Sequence, residues 1–128
     1  MTDPITFISR NRVKEGMFDA FRKHYGTSVP LIESERSGTL VQLAYVDEEA
    51  TAVAIVRLFP NAEAMDLHLQ GADVRSKAAY EFIEPVSIEI YGTPSRSAMD
   101  MMKKVAGSGV DVSINPQFIG GFIRPEPG

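Results

Sequence analysis

Two neighbouring segments, TLVQLAYVD at 39–47 and TAVAIVRLF at 51–59, carry apolar side chains on both phases of a two-residue alternation. Val41 and Leu43 fall on one phase and Leu40 and Val46 on the other; Val53 and Ile55 are likewise out of phase with Ala54 and Val56. A strand with one face in water shows polar residues on one phase, so these segments predict strands covered on both sides. The short acidic connection Asp47-Glu48-Glu49-Ala50 predicts an antiparallel hairpin.

Elements of matching type flank the hairpin. Ile5 to Val13 alternates as a strand, with Ile5, Phe7, Ser9, Asn11 and Val13 on one face. Phe18, Phe21, Tyr25, Val29 and Ile32 then follow helical spacings. Gly26 and Pro30 predict a helix to about His24, a break, and a further turn towards Glu35. After the hairpin, Asn61 is a good N-cap for a second helix whose stripe is Met65, Leu69, Ala72, Ala79, Phe82 and Ile83. Gly71 marks a local irregularity in it, Glu84-Pro85 its end, and Val86 to Tyr91 a fourth strand.

The first 92 residues thus read β-α-β-β-α-β, an α+β ferredoxin-like order in which both helices lie on one face of an antiparallel sheet. The other face needs a cover, and a second protomer packed sheet against sheet supplies it. Residues 93–124 add an extension. Thr93-Pro94 predicts a helix start, Ala98, Met101, Met102 and Val105 supply its stripe, and Val110, Val112 and Ile114 alternate as a short strand. Gly120 to Ile123 is expected to be extended, and Arg124 to Gly128 a loose tail. All 128 residues make one domain.

Composition removes whole classes of function. With 13 basic against 17 acidic residues and no basic run, nucleic-acid binding is disfavoured. The absence of cysteine removes disulfides, thiolate nucleophiles and cysteine-ligated metals. His24 and His68, the two histidines, lack a metal-ligand pattern, so no metal is expected. There is no P-loop, no GxGxxG and no GxSxG elbow. No apolar run nears the ~20 residues that span a bilayer, and no signal peptide is evident; a soluble, cytoplasmic protein without membrane partners is expected.

The element order, the two-sided sheet and the segment FPNAEAMDLHLQGADVRSKAAYEFIEPVSIEIYG together resemble the antibiotic-biosynthesis monooxygenase superfamily of dimeric α/β barrels. That family places the pattern apolar–x–x–His–Leu–x–small on this helix, matched here by Met65, His68, Leu69 and Gly71, followed by Pro85 and the strand 86–91. The resemblance covers residues 5–92. It implies a pocket between sheet and helices in which relatives oxidise quinols or polycyclic aromatics with O2 and no bound cofactor. Haem-degrading relatives carry a Trp about where His68 stands and a ligating His about where Ala78 stands, so haem is not implied.

On that reading His68 is the catalytic proton-transfer group, and Ser9 or Asn11 bonds the substrate oxygen. Arg57 or Tyr45 steadies developing negative charge, and Phe7, Phe21, Met65 and Phe82 form apolar walls. Plainer readings stand beside these. A histidine at the border of an apolar stripe is commonly structural, and His24 is expected to be exposed. Arg57 pairs with Glu89 or Asp47 across strands or subunits, Tyr45 packs at the dimer interface, and the Met99, Met101 and Met102 group is a packing face or a lid. The leading function is a cofactor-independent monooxygenase-like enzyme acting on a small aromatic or quinol. The alternatives are a non-catalytic dimeric module that binds a small apolar ligand or serves assembly, and an acid–base isomerase on the same barrel.

Overall fold

The computed structural model describes residues 3–124. Its elements run β1 (Ile5–Val13), α1 (Phe18–Glu35), β2 (Val41–Val46), β3 (Ala52–Phe59), α2 (Ala62–Leu69), α3 (Ala72–Ala79), β4 (Ile83–Tyr91), α4 (Arg96–Gly107) and β5 (Asp111–Asn115). They build one sheet in the order β2-β3-β1-β4-β5. The first four strands pair antiparallel, as the ferredoxin-like order requires, and β5 joins the edge parallel to β4 after the α4 crossover. The sheet is therefore mixed, with five strands.

Register sorts the side chains onto two faces. Ile5, Phe7, Ser9, Asn11 and Val13 of β1 share a face with Val53, Ile55, Arg57 and Phe59 of β3, with Gln42 of β2, and with Ile88 and Ile90 of β4. The helices cover this face: one core cluster joins Ile5, Phe7, Phe59, Met65, Ile88 and Ile90 to Ala98 and Met102 of α4. A second cluster joins Val13, Phe21, Val53, Ile55 and Ile83, with Phe18, Tyr25, Ala79 and Phe82 against it. The extension is thus part of the core. Met102 is buried and Met101 exposed, which is a packing face.

The opposite face carries Ile8, Arg10, Val41, Leu43, Tyr45, Val56, Leu58 and Glu89. Among the described residues no helix covers it, and Leu43 and Tyr45 stand exposed there. Two-sided alternation in β2 and β3 therefore coexists with one covered and one open face within a single chain.

Three expectations about breakers are corrected. α1 runs unbroken through Gly26 and Pro30. Thr27 and Ser28 donate their hydroxyls to the His24 and Tyr25 carbonyls. Residue 26, whose carbonyl a proline four positions on cannot bond, has no side chain to crowd the ring. The irregularity expected at Gly71 is present and amounts to a break, so the expected single helix is two helices. Gln70 leaves the helical conformation, Gly71 takes φ +74°, and α3 starts afresh at Ala72. Ile83, expected on that helix, begins β4, and Pro85 lies inside the strand at a bulge where Asn11 opposes Pro85 and Arg10 opposes Ser87. A bulge tolerates the missing N–H.

The caps follow local chemistry. Asn61 accepts from the Ala64 N–H, as expected. Ser95, rather than Thr93, caps α4 by accepting from Ala98 N–H, and it donates to Asp66 of α2 at 2.6 Å. Gly92 at φ +120° lets the chain leave β4 against β1, where a Cβ would lie 2.7 Å from the Pro4 carbonyl oxygen. Residues 116–124 form no strand, and the expected tail beyond Arg124 lies outside the described residues. Among the described residues no helix is long and apolar enough to cross a membrane.

Candidate active site

The two core clusters do not merge, and polar residues stand on the helix-covered face between them. Register makes Arg57 the neighbour of Phe7 on one side and of Gln42 on the other, while Ser9 lies one step along β1. Arg57 donates its Nε–H to Gln42 Oε1 at 3.1 Å, and its guanidinium sits 5.8 Å from the Phe7 ring centre. Neither Glu89 nor Asp47 reaches it. Glu89 is on the open face, ion-paired with Arg10 at 2.9 Å, and Asp47 accepts from Thr51 and Ala52 in the hairpin turn.

Among the described residues Arg57 has no carboxylate within 4.0 Å. Burial pushes its pKa down to about 10, with Tyr25 acting in the opposite sense and Arg75 adding repulsion. The side chain is set among protein atoms yet keeps some accessible surface. The Tyr25 hydroxyl, close enough to favour the Arg57 charge, is buried and has no hydrogen-bond partner among the described residues. An unsatisfied buried hydroxyl costs about 1–3 kcal/mol unless something bonds it. Arg57 and Tyr25 each hold donors that no carboxylate (Arg57) or hydrogen-bond partner (Tyr25) takes up among the described residues.

His68 is 4% exposed and packs its ring 5.3 Å from that of Phe59. Its Nδ1 bonds the Thr39 hydroxyl at 2.8 Å. Burial, then the positive charges of Arg57, Arg75 and Arg36, pushes its pKa down to about 3. At neutral pH it is an uncharged imidazole and a weak base. It ties α2 to the segment that follows α1.

The other expected site residues divide. Ser9 accepts from Asn11 Nδ2 at 3.5 Å, and Asn11 is buried. Phe7 lies beneath Arg57, whereas Met65 is sealed in the first core cluster and Phe21 in the second. Phe82 packs against His24, 5.3 Å between ring centres, so His24 is not free in solvent. Tyr45 points to the open face, 61% exposed, on the far side of the sheet from Arg57. Four further residues enter the site: Tyr25, Gln42, Arg36 and Arg75. Of these Gln42 left a sequence signal, as a polar residue inside an apolar run. An open depression of about 340 Å3 lined by Arg10, Asn11, Arg12, Thr51, Ala52 and Val86 lies at the β-bulge, away from Arg57. No group of metal-ligating side chains occurs among the described residues.

No family model matches the chain, and comparison with curated proteins finds no match. Solved structures do match. MupZ from Pseudomonas fluorescens superposes with a TM-score of 0.72 at 15% identity, covering 99% of both chains, so it shares the full length including the extension. SnoaB, a cofactor-independent oxygenase from Streptomyces nogalater, gives 0.60 at 12% identity over 73% of this chain and 96% of its own. A protein from Bacteroides thetaiotaomicron provisionally assigned as an antibiotic biosynthesis monooxygenase gives 0.55 at 13% identity, over 63% and 80% of the two chains. At these identities the likeness is one of fold, the α+β ferredoxin-like arrangement expected from the sequence.

Proposed function

We propose that the protein is a cofactor-independent monooxygenase-like enzyme acting on a small aromatic or quinol substrate, bound at Arg57 on the helix-covered face of the sheet. The observation that carries this reading is that, among the described residues, Arg57 has no carboxylate within 4.0 Å and the buried Tyr25 hydroxyl that favours its charge has no hydrogen-bond partner. A phenolic oxygen placed there loses its proton more readily, because the ionised form gains both donors in a site poor in water. The resulting electron-rich phenolate of a hydroquinone supplies all four electrons that O2 accepts: the ring gains one oxygen atom and is oxidised to a hydroxyquinone, and the second oxygen leaves as water with the two hydrogens the substrate loses. Fold likeness to a cofactor-independent oxygenase agrees with this chemistry and does not by itself establish it. In this scheme His68 is a neutral hydrogen-bonding and positioning group, since a pKa of about 3 leaves it unprotonated at neutral pH.

The test is oxygen uptake by the purified chain with a panel of hydroquinones and no added cofactor. Uptake is expected, and Tyr25→Phe should lower it about tenfold, the worth of one hydrogen bond to a charged oxygen. Ligand binding without oxygen uptake on any substrate would instead favour a non-catalytic small-ligand module. The weak basicity of His68 is the observation that keeps that alternative in view.

A homodimer packed sheet against sheet belongs to the same proposal. Leu43, Tyr45, Val86 and Tyr91 are exposed large apolar side chains on the open face, and a second copy buries all of them at once. Sedimentation at micromolar concentration should give a dimer, and Leu43→Arg a monomer. A wild-type monomer would sink the idea.

A further inference from the structure

Two arginines meet where α2 turns into α3. Arg75, in the first turn of α3, donates Nη1 to the Gln70 carbonyl at 2.7 Å and Nη2 to the His68 carbonyl. Arg36, just past the end of α1, donates Nη2 to the same Gln70 carbonyl at 3.2 Å and Nη1 to the Glu35 carbonyl at 3.4 Å. One carbonyl oxygen therefore sits between two guanidinium groups. The Arg36 Nε is buried and has no hydrogen-bond partner among the described residues.

Capping alone does not account for this pair. The C-terminal end of a helix carries about half a negative charge, and α2 has only eight residues. One guanidinium balances that end, and a second leaves excess positive charge. Neither arginine has a carboxylate within 4.0 Å among the described residues. Asp73 and Glu35 favour the Arg75 charge from farther off, while Arg36 opposes it. The arrangement is also held rigidly. Thr39 bonds His68, and Gly38 lies so close to α2 that a Cβ on it would come 2.9 Å from Ala64 Cβ. Beside Arg36 is a hollow of about 70 Å3, bordered by Glu35, Arg36, Ser37, Gly38, Thr39, Ala64 and Leu67. A water molecule needs only about 10–15 Å3 of such space, so the hollow has room for a carboxylate group.

We propose that Arg36 and Arg75 form an anion-binding site that takes the carboxylate of the ligand whose aromatic end lies at Arg57. This inference rests on the reading of Arg57 as the aromatic subsite and narrows the substrate class to aromatic acids. Arg75 holds the His68 carbonyl, and Arg57 and Arg75 are near enough for their charges to repel. Glu35, on the rim, opposes the bound anion.

The experiment is calorimetric titration of the full chain with 1,4-dihydroxy-2-naphthoate, with its neutral parent 1,4-dihydroxynaphthalene, and with inorganic phosphate. The acid should bind at least about tenfold more tightly than the neutral compound, as expected for a charge-assisted fork. Arg36→Gln and Arg75→Gln should each remove most of that preference, and Glu35→Gln should increase it. Arg75→Lys keeps the charge without the planar fork, and retains part of the preference if the variant is folded by circular dichroism. Competition by phosphate would show that any oxyanion of this size is accepted. Equal affinity for acid and neutral compound, no binding of either, or a preference that survives both glutamine substitutions would overturn the proposal. Acid binding that needs both arginines but brings no oxygen uptake leaves this site standing and removes the oxygenase reading.

Discussion

Lowering the pH from 7 to 5 should reduce folding stability by up to about 2 kcal/mol, and a His68→Gln variant should lose that dependence. The cause is the imidazole buried against Phe59 and facing Arg57, Arg75 and Arg36, which holds its folded pKa at about 3. In the unfolded chain the same group titrates near its ordinary value of 6.5. Between these values the unfolded state binds a proton that the folded state refuses. The stability is therefore fully present above pH 6.5 and is lost as the pH falls towards 3. At pH 5 the gap is about 1.5 units, and each unit is worth about 1.4 kcal/mol. Asp47 and Glu89 are held below the usual carboxylate range by Thr51 and Arg10 respectively, so their loss comes at lower pH. Urea melts of both proteins at pH 7 and pH 5 give the comparison. Parallel pH dependences in wild type and variant would show that His68 is not the titrating group.

Arg57→Met should make the protein more stable and less active. Its guanidinium is desolvated, has one neutral hydrogen-bond partner in Gln42 and faces the positive charge of Arg75. Replacing a buried charge by an apolar side chain of similar length commonly gains about 1–2 kcal/mol, even after leaving one amide unpaired. For a chain of this size that is a rise in Tm of roughly 3–8 °C. The same substitution removes the cation proposed to stabilise a phenolate, at a cost of about 100-fold in oxygen uptake. A less stable variant with unchanged uptake would mean that Arg57 is a structural residue. Opposite movement of stability and activity is the pattern of a site kept at the expense of the core.

The core strands and the hairpin were legible because alternation is a local property. Ile5–Val13 needs no information beyond its own residues to be a strand, and Asn61 needs only the backbone N–H three positions on. Proline and glycine were less transparent. Pro30 inside α1 and Pro85 inside β4 are tolerated for reasons set by the surrounding backbone, a bulge in one case and an uncrowded helix turn in the other. His68 was visible as a singular residue, but its pKa depends on three arginines 11 or more positions away along the chain or close by only through the α2–α3 turn. Arg57 stood out in an apolar strand, whereas Tyr25 read as one more member of a helical stripe.

The amino-acid sequence alone determined the order of elements, the apolar character of both sheet faces and the absence of thiol chemistry, since each follows from residue type and short-range spacing. Tertiary structure decided the rest. Strand register put Arg57 and Tyr45 on opposite faces, the Gly71 turn brought Arg75 back onto the carbonyls of His68 and Gln70, and packing left the Tyr25 hydroxyl buried without a partner among the described residues. Those are long-range juxtapositions, and their energies depend on burial and on neighbouring charge that no single segment carries.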